Sequence, residues 1–108
     1  MIICTIVLTL SEKDRSRVVS SLLPVVGSTR VQPGCRACSI LSDMDDPRVL
    51  VFWEEWDNRG DLDRHLRSPD YRLVLAAMEL SQDPPRATFD TVQTRSGLEM
   101  VEAARTPG

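Results

Sequence analysis

The residues best suited to chemistry lie close together in this chain. Residues 49–71 read VLVFWEEWDNRGDLDRHLRSPDY and contain two tryptophans, two adjacent glutamates, the only histidine and the only tyrosine. Glu54 and Glu55 follow one another on a predicted strand, where successive side chains point to opposite faces, so one of the two must start inward. A carboxylate in apolar surroundings has its charged form destabilised, which suits it to give or take a proton. The plainer reading is a strand-end acid paired with one of the many arginines. Which glutamate would face a pocket is left open by the sequence.

His65 is the second candidate, as a hydrogen-bonding or proton-transfer group at a pocket edge, because imidazole ordinarily changes charge near neutral pH. A helix-surface histidine is the alternative. Trp53, Trp56, Phe52, Tyr71 and Met78 are each ordinary core residues when taken alone. Together with His65 they define an apolar lining with few polar contacts, the usual make-up of a small-molecule site. The candidate catalytic residues are therefore His65 and Glu54, and the candidate substrate-binding residues are Trp53, Trp56, Tyr71, Phe52 and Met78.

The rest of the sequence must position these groups. Residues 2–10 form an apolar run that alternates too little to leave one face exposed, which predicts a central strand covered on both sides. Ser11 with Asp14 resembles a capping box at a helix start. Val18, Val19, Leu22, Leu23 and Val26 then recur at helical spacing, with Pro24 expected to kink or end the helix. Pro33-Gly34 is a break, and a second strand is expected over residues 35–41. A turn-rich loop, 42–47, leads to a third strand over 49–56, so the two strands should pair as an antiparallel hairpin. A short helix follows over 58–67, with Leu62 and Leu66 on one face. Ser68-Pro69-Asp70 reads as a cap, a first-turn proline and an acid at the next helix start. In that helix Tyr71, Val74, Leu75 and Met78 share a face. Asp83-Pro84-Pro85 ends it, and residues 87–94 form the last strand.

The order is βαββαβ, an α+β ferredoxin-like arrangement of an antiparallel sheet with helices on one face. Residues 1–96 form one domain and 97–108 a C-terminal tail. On the third strand Leu50, Phe52, Glu54 and Trp56 point one way and Val49, Val51, Trp53 and Glu55 the other. Both sets carry large apolar groups, yet the chain supplies helices for only one face. The second face is therefore expected to meet a second copy of the chain as a homodimer.

Composition narrows the function classes. Over 108 residues, 42% are hydrophobic and 27% charged, with a net charge of −3, ordinary for a globular domain. This gives no basic footprint for nucleic acid or an anionic membrane. The apolar first ten residues lack a basic n-region and a cleavage pattern, and are too few to span a bilayer; a cytoplasmic location is expected. Cys4, Cys35 and Cys38 are an odd number and suggest no secreted disulfide framework. Cys35-Arg36-Ala37-Cys38 has CxxC spacing, but in an extended chain its two thiols would point to opposite faces roughly 10 Å apart, beyond a disulfide's reach. With one histidine and no ligand cluster, no metal site is expected. No glycine-rich phosphate loop or nucleophile motif is present either, so an enzyme built on this chain would work without a bound cofactor.

At these residues the chain resembles the antibiotic biosynthesis monooxygenase family of small dimeric α/β-barrel proteins. The shared features are Pro33-Gly34-Cys35 opening the second strand, Glu54-Glu55-Trp56 ending the third, and Leu62, His65-Leu66, Ser68-Pro69 and Tyr71 as LxxHLxSPxY. The resemblance covers about residues 2–95. It implies a ferredoxin-like subunit whose sheet pairs with a twin, and oxidation of a quinol or phenolic ring with O2 without flavin or metal. By resemblance Trp56 corresponds to the family tryptophan at the strand end and His65 to the histidine of the following helix. Two departures narrow this. Phe52 stands near where the aromatic-polyketide oxygenases carry an asparagine. Residues 2–10 hold no asparagine and residues 70–80 no histidine, the pair used by haem-degrading relatives, so haem degradation is not implied. The expectation is a dimeric, cofactor-independent monooxygenase acting on a small aromatic substrate. The alternatives are a non-catalytic binding or stress-response protein with the same pocket, and a structural module whose aromatics fill the core.

Overall fold

Strand β1 (Ile2–Thr9) is the inner strand around which the computed structural model of residues 1–108 is built. The element order is β1, α1 (Glu12–Arg30), β2 (Cys35–Ser42), β3 (Val49–Trp56), α2 (Arg59–Leu66), α3 (Tyr71–Glu79), β4 (Arg86–Thr91) and α4 (Glu99–Arg105). The four strands form one antiparallel sheet in the order β2-β3-β1-β4, a ferredoxin-like α+β fold. Ile2, Cys4, Ile6 and Leu8 are buried on one face of β1, while Ile3, Thr5, Val7 and Thr9 between them are half-buried. Within one chain, then, β1 is fully covered on one side only, because no helix lies over the other.

The helices collect on the covered face. Ile6, Leu8, Leu50 and Phe52 from the sheet pack with Leu22 and Val25 of α1 and Tyr71 and Val74 of α3 in the main core. Each such side chain, fully buried, contributes roughly 1.5–3 kcal/mol. α1 is capped as expected: the Ser11 hydroxyl accepts from the Asp14 N–H at 3.2 Å. It is not ended by Pro24, however, but runs on to Arg30. Pro24 has no N–H to offer the carbonyl of Ser20, but both residues are exposed, so water can serve that carbonyl. Val25, Val26 and Thr29 continue the buried stripe, which offsets the ~3 kcal/mol cost of a mid-helix proline.

Other boundaries shift for local reasons. α3 begins at Tyr71 with no side-chain cap. The N–H groups of Tyr71, Arg72 and Leu73 donate to the carbonyls of Ser68, Pro69 and Asp70, so a tight turn does the work expected of the Ser68 hydroxyl. Asp70 instead accepts from the Ser28 hydroxyl at 3.0 Å. Tyr71, Val74 and Ala77 form the buried face of α3, with Met78 half-buried, and Leu75 is 50% exposed rather than part of it. β4 stops at Thr91 because it pairs only with Ile2 to Val7 of β1. Gly34 has φ +84°, and a Cβ there would collide with the Asp61 side chain. Only glycine therefore allows the turn that brings α2 against the start of β2.

α4 is exposed throughout. The radius of gyration, 16.0 Å, exceeds the roughly 13 Å expected for a compact chain of this length, as a helix standing away from the body would cause.

Candidate functional site

The site is set by the last residues of β3. Alternation along the strand sends Leu50, Phe52, Glu54 and Trp56 under the helices, and Val49, Val51 and Trp53 to the uncovered face. Glu54 is thus the inward glutamate. On the sheet it is flanked by Cys4 of β1 and Cys38 of β2, its direct partners in the two ladders. Trp56 is flanked in the same way by Ile2 and Cys35.

α2 then lays its inner face over this row. The Asn58 side chain caps the helix by accepting from the Asp61 N–H at 2.9 Å, and the next turn brings Leu62 and His65 inward. His65 has no exposed surface, and its Nε2 lies 2.6 Å from Oε2 of Glu54, itself 1% exposed. The contact is short, but its angles fall outside those of a formed hydrogen bond, so neither group counts as satisfied. Trp56 stacks on the imidazole at 4.8 Å between ring centroids, and Tyr71 meets it edge-on at 5.2 Å. Glu54 Oε1 and Oε2, His65 Nδ1 and Nε2, Trp56 Nε1 and Ser68 Oγ are all buried without a hydrogen-bond partner in the chain.

The surroundings hold neighbouring acids in their protonated forms. Burial, followed by the charge of Glu54, pushes the Cys4 and Cys38 thiols up to about 12. The same two causes, in the same order, raise the Tyr71 phenol well above its ordinary range. Cys35 is raised chiefly by burial. These thiols are poor nucleophiles, since the thiolate is the reactive form.

One expectation about the cysteines is corrected. A bulge at Arg36 shifts the register, so that Cys35 pairs with Trp56 and Cys38 with Glu54. Both cysteines therefore share the helix-covered face instead of lying on opposite faces. All three cysteines are free. No cluster of three or more His, Cys, Asp or Glu side chains has metal-binding geometry.

Of the candidate residues, Glu54, Trp56, His65 and Tyr71 are brought together. Phe52 and Met78 belong to the main core beneath α1 and α3. Trp53 lies on the opposite face of the sheet, paired with Thr5 and Ser39, and lines nothing near His65. Glu55, also on that face, meets Arg95 Nη2 at 2.6 Å.

A cleft of about 290 Å³ opens beside the group, lined by Ile2, Arg59, Leu62, Leu66, Phe89 and Thr91. Ile2 and Leu62 pack on Trp56, with Leu66 against them. The leucines of α2 thus form the cleft wall, and none of the residues expected to line a pocket, Trp56, Tyr71, His65 and Glu54 included, is part of it. Phe89 and Thr91 reach the cleft because β4 pairs with β1 in a register that sets Phe89 beside Cys4 and Thr91 beside Ile2. That register is not readable from the local sequence of either strand. Leu62 and Leu66 were visible as a helix face, but Arg59 carried no signal at all.

The chain is thus a ferredoxin-like domain with a buried acid–imidazole contact near a small cleft. The comparisons give its family. The family model for antibiotic biosynthesis monooxygenase matches residues 1–77, and the chain belongs to that family. Among solved structures it is similar to a candidate antibiotic biosynthesis monooxygenase from Deinococcus radiodurans, at 23% identity and TM-score 0.79, covering 90% of this chain and 97% of the other. A Mycobacterium tuberculosis protein matches at 24% identity and TM-score 0.78 over 89% and 98% of the two chains. A candidate antibiotic biosynthesis monooxygenase from Nitrosomonas europaea matches at 16% identity and TM-score 0.77 over 87% and 100%. At these identities the likeness speaks for the fold. No curated protein matches the chain. No helix is long and apolar enough to cross a membrane.

Proposed function

We propose that the protein is a cofactor-independent monooxygenase that oxidises a small quinol or other phenolic ring with O2 at the cleft beside Trp56. The observation that carries this reading is the group of buried polar atoms on Glu54, Trp56 and His65 without hydrogen-bond partners in the chain. A core selected for stability alone satisfies such atoms or replaces them with apolar ones. Five of the eight such atoms in the chain lie on Glu54, Trp56 and His65, under a helix of only eight residues.

In this reading the substrate ring lies between Phe89 and α2. Leu62 and Leu66 stand between the cleft and His65, so their side chains must rotate aside for the ring to reach the imidazole. His65 takes the phenolic proton, and the carboxylate of Glu54 offsets the charge it acquires. The phenolate passes an electron to O2, and the resulting radical pair joins at a ring carbon as a hydroperoxide. Loss of water leaves a carbonyl. One oxygen atom of O2 enters the ring and the other leaves as water, so a quinol becomes a hydroxyquinone and the ring supplies the electrons. The protein binds, deprotonates and shields.

The reading includes a cytoplasmic homodimer joined through the uncovered face of the sheet. Half-buried Val7, Val51 and Trp53 on that face support the dimer, and three free cysteines support a reducing compartment. A monomer by light scattering at micromolar concentration would contradict the dimer. The reaction is tested by oxygen consumption of metal-free protein with a panel of hydroquinones and anthrones. Uptake matched by formation of the oxidised ring is expected; no uptake with any compound would contradict it. A second reading, ligand binding without turnover, is favoured by the absence of His65 from the cleft wall. It expects the same compounds to quench tryptophan fluorescence with no oxygen consumed.

A further inference from the structure

The cleft wall contains one charged residue, Arg59, among Ile2, Leu62, Leu66, Phe89 and Thr91. We infer that Arg59 selects an anionic ligand and that the substrate class is a hydroxylated aromatic carboxylate of one or two rings. This rests on the cleft being the site of the reaction proposed above.

Three observations support it. First, Arg59 has one edge engaged and the rest of its guanidinium free at the cleft rim. Its Nε donates to Asp63 Oδ1 at 2.7 Å, one turn along α2, while its two terminal nitrogens make no bond within the chain. A guanidinium held by one edge presents the remaining donors as a fork, the geometry that meets a carboxylate with two parallel hydrogen bonds. Second, the opposite wall offers an aromatic surface. Phe89 is 47% exposed on the helix-covered side of β4, where it faces the cleft and can stack on a flat ring. Third, a volume of about 290 Å³ falls at the small end of the roughly 300–1,000 Å³ typical of ligand pockets. This size suits a substituted benzene or naphthalene better than a larger fused ring system. The Thr91 hydroxyl adds one neutral hydrogen-bonding group for a ring oxygen.

The test is calorimetric binding to the full-length protein without oxygen, which separates recognition from turnover. The ligands are 2,5-dihydroxybenzoate, 1,4-dihydroxybenzene and octanoate, and the proteins are wild type, Arg59→Gln and Arg72→Gln. Arg72 is exposed on α3 outside the cleft, so its variant controls for net charge. The wild type should bind the benzoate about tenfold more tightly than the uncharged diol, the low end for a hydrogen bond to a charged group. Arg59→Gln should abolish that preference, and Arg72→Gln should keep it. Equal affinity of the two ring compounds for wild type, a preference that survives Arg59→Gln, or failure of both to bind would overturn the inference. Octanoate bound as tightly as the benzoate would overturn its aromatic half. If the benzoate binds as expected but no oxygen is consumed once air is admitted, the anion selection stands and the monooxygenase reading fails.

Discussion

Glu54 and Glu55 are adjacent in the chain, and each has a carboxylate oxygen 2.6 Å from a nitrogen. Glu54 meets His65 with side-chain exposures of 1% and 0%, and Glu55 meets Arg95 with exposures of 10% and 51%. The shared distance hides a difference in energetics. On the outer face Glu55 is buried but Arg95 is half exposed, so water and dissolved ions screen that pair through the guanidinium. The inner pair has lost its solvent, and each partner depends on the other for compensation. The two faces of the sheet divide in the same way. The inner face has buried both members of its pair at a cost in solvation, whereas the outer face carries half-exposed Val51 and Trp53 and a pair in which Glu55 is buried but Arg95 reaches water.

The largest expected effect comes from breaking the inner pair on one side only. Glu54→Ala should destabilise the protein by roughly 3–5 kcal/mol, because His65 is left buried without its partner. The double variant Glu54→Leu with His65→Leu should return most of that loss in urea denaturation, since apolar replacement of a buried pair is often neutral or stabilising. If the double variant is as unstable as the single, the pair is not the strained element described.

Aromatic truncation compares the faces directly. Phe52→Ala should cost about 3–5 kcal/mol through the cavity it leaves. Trp53→Ala, one residue away on the outer face, should cost less in folding and weaken self-association instead, as read by sedimentation against concentration. Equal folding losses would mean that the outer face is packed within one chain.

Alkaline pH probes the inner face through its thiols. An ordinary thiol loses its proton near 9.0, while Cys4 and Cys38 hold theirs to about 12 when folded. Between these values the folded state binds more protons than the unfolded, so stability falls as pH rises. The contribution is fully present below about pH 9 and is lost toward 12, with Tyr71 adding in the same direction. Denaturation midpoints should fall across this window, and less steeply in Cys4→Ala. A flat profile would contradict the burial assigned to these groups.

The smallest effect belongs to the outer pair. Arg95→Ala should change stability by about 0–1 kcal/mol, and high salt should erase the difference from wild type.

Much of the fold was legible in the sequence, and the reasons are local. β3 was readable over 49–56 because its alternation and its flanking turns agree. Period two alone grouped Leu50, Phe52, Glu54 and Trp56 on one face, but only the packing of the helices shows that this face is the inward one. Pro24 misled because propensity is local, whereas the burial of Val25, Val26 and Thr29 is tertiary. The bulge at Arg36 reversed the reading of Cys35 and Cys38, since one unpaired residue changes which face follows. For the site, Glu54, Trp56, His65 and Tyr71 were identifiable as residue types near one another in sequence. Trp53 was grouped with them although the same alternation sets it on the face opposite Trp56. Phe89, Thr91 and Arg59 were out of reach, because they join the cleft through the β1–β4 register and the docking of α2.

The most direct measurement is incorporation of labelled oxygen from O2 into a hydroquinone by wild type, Glu54→Gln and Glu55→Gln, each confirmed folded by circular dichroism. The wild type should place one labelled atom in the ring. Glu54→Gln should lose about a hundredfold or more in rate, the usual contribution of a positioned acid–base group, while Glu55→Gln should keep nearly full activity. Equal rates in the two variants, or no incorporation by the wild type, would contradict a reaction carried by the buried Glu54–His65 pair.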